Sequence, residues 1–123
     1  MTSQTAVIAD DNAGMRLVAR ALVEAAGWTV VAEAVDGEEA VDRALEHRPG
    51  LVLMDYRMPS TDGLEATCRI LAAWPRATVV AWTSTDDAAT AERFFAAGAS
   101  AYVVKGDVAR LQSVLRPACE RVA

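Results

Sequence analysis

Five short apolar runs, each followed by a longer segment of helical periodicity, constrain this chain more than any other feature. The runs are Ala6-Val7-Ile8-Ala9, Thr29-Val30-Val31-Ala32, Leu51-Val52-Leu53-Met54, Thr78-Val79-Val80-Ala81 and Ala101-Tyr102-Val103-Val104. They are nearly continuously apolar, as strands buried on both faces are. Such strands alternating with helices form repeated β-α units around a parallel sheet, which places the chain in the α/β class.

The helices carry their own boundary signals. Ala13 to Ala26 closes at Gly27, and Asp36 opens a second helix with Glu39 at capping-box spacing. Asp62 with Glu65 repeats that signature for a third. A fourth is expected from about Asp87 to Ala97, before Gly98, and a fifth from Asp107 onward, disturbed at Pro117.

A chain of 123 residues is the size of one domain, and residues 1–123 are read as a single unit. No apolar run approaches the ~20 residues that span a bilayer. The N-terminus reaches Asp10 and Asp11 without the basic-then-apolar pattern of a secretory signal, so a cytoplasmic location is expected. A net charge of −5 without a basic cluster lacks the footprint that nucleic-acid backbones require. Cys68 and Cys119 form no C-x-x-C pair and read as reduced small hydrophobes.

In open parallel sheets, ligands bind beyond the carboxyl ends of the strands. There this chain places Asp10 and Asp11 after the first strand, Asp55 after the third, Thr83 after the fourth and Lys105 after the fifth. Two carboxylates roughly 5 Å apart repel by ~3 kcal/mol at an effective dielectric near 20, so three in one pocket call for a cation beyond Lys105. Hard carboxylate oxygens without His or Cys suit Mg²⁺. An Asp carboxylate can attack phosphorus, with Mg²⁺, an amine and a hydroxyl stabilising the oxygens of the transferring group. If the acids repel one another, Asp11→Asn should stabilise the metal-free fold.

Ala9-Asp10-Asp11, Leu53-Met54-Asp55-Tyr56-Arg57-Met58-Pro59, Asp62-Gly63-Leu64-Glu65, Trp82-Thr83-Ser84 and the stretch from Ala97 to Lys105 resemble the signatures of response-regulator receiver domains. The resemblance covers essentially the whole chain. It implies a flavodoxin-like (βα)5 doubly wound sheet in the order 2-1-3-4-5 and phosphorylation of Asp55 by a histidine kinase or phosphotransfer protein. It also implies Mg²⁺ held by Asp11, Asp55 and the backbone carbonyl of Arg57, with Asp10 acting mainly through water. Thr83 and Lys105 would contact the phosphoryl oxygens, and Tyr102 would be the rotameric switch. The altered face would be the fourth helix, fifth strand and fifth helix, a surface for dimerisation or partner docking. Gly106 replaces the proline that often follows the lysine, as in receivers that precede LuxR-type output domains.

A Mg²⁺-dependent phosphohydrolase also uses an Asp nucleophile, but needs a second acid two residues later, where this chain has Arg57. A receiver-like module working without phosphate would lack an acid or the lysine, and all are present. His47 reads as a helix-end residue rather than a phosphorelay histidine. Trp28, Trp74, Phe94 and Phe95 read as core or half-covered surface. Trp82 is bulky for its place before Thr83, and strand alternation should point it away from the phosphorylation pocket.

Overall fold

The structure is a computed structural model that describes residues 4–116. Five β-α units follow in order: β1 (Thr5–Ala9), α1 (Ala13–Ala25), β2 (Thr29–Ala34), α2 (Gly37–His47), β3 (Leu51–Met54), α3 (Gly63–Ala73), β4 (Thr78–Thr83), α4 (Ala88–Ala96), β5 (Ala101–Val104) and α5 (Val108–Leu115). The strands form one parallel sheet in the order β2-β1-β3-β4-β5, the flavodoxin-like arrangement. Pro117 and Cys119 lie outside the described residues.

Each helix starts where a short polar side chain takes up an orphan backbone N–H. Asn12 accepts from Met15 N, Asp36 from Glu39 N, Asp62 from Glu65 N, Asp87 from Ala89 N and Asp107 from Arg110 N. The expected capping box on α2 is displaced by one residue. Glu39 reaches back to Val35 N at 2.8 Å, not to the N–H of the cap itself.

Two apolar layers sandwich the sheet. Ala19 and Val23 of α1 and Leu111 and Leu115 of α5 pack on one face. On the other, Ala40, Val41 and Ala44 of α2 meet Ala66 and Ile70 of α3 and Phe94 of α4. Strands β1, β3 and β4 are buried almost throughout, as their apolar sequence demands. β2 and β5 are not: most of β2 is partly covered, and Tyr102 and Val104 of β5 are half-buried. They are the edges of the sheet, where one neighbour is missing, so an apolar run overstates their burial.

The boundaries shift modestly. β2 runs on through Glu33 to Ala34, and β4 extends to Thr83, which ends the strand rather than following it. His47 occupies the last turn of α2, as expected. Phe94 is fully buried, whereas Phe95 is 48% exposed. Trp28 and Trp74 each donate an indole N–H to a backbone carbonyl, Leu115 and Pro49 respectively. Among the described residues no helix is long and apolar enough to cross a membrane.

Candidate functional site

Alternation along the strands decides which side chains meet beyond their ends. Ala6 and Ile8 of β1, Leu51 and Leu53 of β3, Val80 and Trp82 of β4, and Ala101 and Val103 of β5 all face α1 and α5. Carrying each alternation one step past the strand gives Asp10, Asp55 and Lys105. The other parity, Val79 and Ala81, belongs to the layer under α4, leads to Thr83, and has Tyr102 packed against it. The acid–amine group and the Thr–Tyr pair thus grow from opposite faces of the same sheet.

Asp10, Asp11 and Asp55 offer carboxylate oxygens that all lie within 4.8 Å of one another. Asp10 and Asp55 are buried and Asp11 is exposed. Asp10 Oδ1 accepts from Asn12 N at 2.9 Å, while Lys105 Nζ lies 2.6 Å from Asp10 Oδ2 and 3.3 Å from Asp55 Oδ2. Asp55 Oδ1 accepts from Tyr56 N at 2.8 Å. Burial pushes the Asp55 carboxyl above the usual carboxylate range, and the charge of Asp10 adds to that effect. Lys105 and the Tyr56 N–H pull in the opposite direction without cancelling it. An all-oxygen donor set of this size fits a hard, oxygen-seeking divalent cation such as Mg²⁺. Arg57 lines the same open pocket as Asp11, together with Tyr56, Met58, Pro59 and Asp62.

Thr83 is buried, and its hydroxyl accepts from Thr85 N at 3.3 Å. The Tyr102 hydroxyl donates to the carbonyl of that same Thr85. Thr85, which the sequence did not single out, therefore joins the two expected switch residues through its own peptide groups. Burial of the ring, with Asp87 and Asp86 nearby, raises the Tyr102 phenol and keeps it a proton donor. Its ring packs on Phe94 at 5.8 Å between centroids, and Phe94 meets Tyr56 edge-on at 5.7 Å.

Other supports were equally silent in the sequence. Arg16 donates to the Asp10 carbonyl at 2.8 Å and to Glu33 at 3.0 Å, tying the acidic loop to β2. At Gly63 an added Cβ would lie 1.7 Å from the Asp55 carbonyl oxygen, so only glycine lets α3 start against the Asp55 backbone. The Asp62-Gly63 pair was the available signal. Gly106 has φ +103°, a conformation closed to proline, which accounts for glycine after the lysine.

Trp82 requires a correction. Its side chain does point to the α1 and α5 layer, but that does not take it away from the pocket. Lys105 belongs to the same face, two residues after Val103, the register partner of Trp82. Its ammonium consequently sits 5.3 Å from the centroid of the Trp82 ring.

Comparisons with known proteins identify the family and the fold. A family model described as the response regulator receiver domain matches residues 6–116. The protein-glutamate methylesterase/protein-glutamine glutaminase of Haloarcula marismortui is 46% identical over 82 residues, covering 67% of this chain and 22% of that protein. The transcriptional regulatory protein PdtaR of Mycobacterium tuberculosis is 40% identical over 99 residues, covering 80% of this chain and 48% of its own length. The chain thus spans half or less of these relatives. The crystal structure of a LuxR-family two-component response regulator from an Aurantimonas species superposes with a TM-score of 0.84 at 34% identity, over 100% of both chains. The strand order, the acidic triad with its lysine and the match over residues 6–116 converge: the chain belongs to the response regulator receiver domain family of two-component signalling.

Proposed function

We propose that Asp55 accepts a phosphoryl group from a phosphohistidine on a partner kinase or phosphotransfer protein, and that its modification resets the surface formed by α4, β5 and α5. The observation that carries this reading is the convergence of three carboxylates, two of them buried, and one lysine on a single rim of the sheet. In the transfer an Asp55 carboxylate oxygen forms a bond to phosphorus while the bond from phosphorus to the donor imidazole breaks, and the electron pair leaves with the imidazole nitrogen. Tyr56 N–H orients the carboxylate, and Lys105 stands ready to pair with a phosphoryl oxygen. Asp11, Asp55 and the carbonyl of Arg57 would hold Mg²⁺, with Asp10 acting through water. The cation supplies charge neutralisation on the transferring oxygens.

The chain acts on its own carboxylate, not on a separate substrate, consistent with Arg57 where a phosphohydrolase needs its second acid. Once phosphorylated, Asp55 draws the Thr83 hydroxyl toward its oxygens, and Tyr102 follows. The exposed side chains flanking β5, Phe95 of α4 and Val108 of α5, provide apolar surface for a second copy or another partner.

Incubation with acetyl phosphate and Mg²⁺ tests the central claim. One phosphoryl group should be added to the wild type and none to Asp55→Asn, read by intact mass. Undiminished modification of the variant would move the acceptor elsewhere.

A further inference from the structure

We infer that Trp82 is a positioning residue for Lys105, its indole face holding the ammonium in the pocket when a cation and a phosphoryl group are bound. The inference rests on the reading of Asp55 as phosphoacceptor. Trp82 is 4% exposed and fixed in the layer beneath α1 and α5, whereas the Lys105 side chain retains 15% exposure and so has a way out to solvent.

The ammonium is held by Asp10 at 2.6 Å and Asp55 at 3.3 Å. A divalent cation that takes up those carboxylates weakens both attractions and repels the ammonium directly. The flexible four-carbon stem of a lysine would then let it swing outward. The negative face of the indole, 5.3 Å from Nζ, is an attraction that the cation does not consume. It keeps the ammonium above the acids, within reach of phosphoryl oxygens, so less freedom is lost when they arrive. Shared parity explains why the contact forms: Val103 pairs with Trp82, and Lys105, just past β5, is the next side chain on that face.

The test compares wild type, Trp82→Phe and Trp82→Leu for affinity toward beryllofluoride in the presence of Mg²⁺, followed by NMR. Both replacements remove core volume, but only Phe keeps an aromatic face. The Leu variant is expected to bind about fivefold more weakly than wild type, and the Phe variant within about twofold. Urea unfolding of each variant verifies a cooperative fold. Should the Leu variant not fold, Trp82→Met takes its place as the longer apolar replacement. Equal affinities for the aromatic and aliphatic variants would overturn the role of Trp82 alone. Failure of the wild type to bind beryllofluoride would instead remove the phosphoacceptor reading, and the positioning role with it.

Discussion

Lys105 Nζ is 2.6 Å from Asp10 Oδ2, closer than its 3.3 Å approach to Asp55, so the pocket's lysine pairs with Asp10 before Asp55. That bias leaves Asp55 undercompensated, and burial with the Asp10 charge holds its carboxyl above the usual range.

A pH dependence of stability follows. Below the ordinary carboxylate range Asp55 is protonated whether folded or unfolded, and the fold carries no penalty. As pH rises through that range the unfolded chain ionises first, and stability falls until the folded pKa is passed, after which the loss stays constant. Asp55→Asn should therefore gain stability over wild type across that window and keep the gain at neutral pH, on the order of 1 kcal/mol with chelator present. Asp11→Asn should gain less than the sequence suggests, because Asp11 is exposed and water screens it. Urea unfolding at a series of pH values checks this, and a wild type more stable than Asp55→Asn at pH 7 would refute it.

The meeting of Thr83 and Tyr102 on Thr85 predicts how the signal leaves the pocket. In Thr83→Ala the Thr85 N–H loses its acceptor, and beryllofluoride should no longer move the NMR resonances of α4 and β5 as it does in wild type. Tyr102→Phe removes the donor to the Thr85 carbonyl and should cost about 1 kcal/mol of stability while leaving Mg²⁺ binding intact. Equal shifts in wild type and Thr83→Ala would sink the coupling.

Gly63 and Gly27 make a contrasting pair. Alanine at Gly63 forces either α3 or the Asp55 backbone to move, and should cost about 1 to 3 kcal/mol and slow phosphorylation from acetyl phosphate on the order of tenfold or more. At Gly27, φ is +100° but an added Cβ meets nothing within 4 Å, so alanine strains the turn and should leave phosphorylation unchanged. Parallel unfolding and phosphorylation assays separate the two. Normal phosphorylation of a folded Gly63→Ala protein would contradict the proposed support.

The apolar runs and the Asp caps made the β-α order legible, because local burial and helix starts are written in neighbouring residues. The acids, Lys105 and Thr83 were legible for a related reason: each lies at or just past the carboxyl end of a strand, and parallel strands bring those ends together. Edge exposure of β2 and β5 was not, since a strand does not record how many neighbours it has. Nor were Thr85 and Arg16, which contribute through peptide groups and long-range hydrogen bonds that leave no local pattern. The place of Trp82 beside the pocket was not legible from β4 alone, because it depends on Lys105, which follows β5 on the same face. The expectation for Cys119 concerns a position outside the described residues.

The placement of the three indoles gives this protein a built-in optical probe. Trp28 is tied to the Leu115 carbonyl and Trp74 to that of Pro49, both remote from the strand ends where the acids gather. Trp82 alone among them lies against Lys105. An ammonium that shifts across an indole changes the field its excited state experiences, so a change in emission on adding metal or phosphodonor would report chiefly on the motion of one lysine. With Trp28 and Trp74 replaced by phenylalanine, the chain would signal occupancy of its pocket without any attached dye.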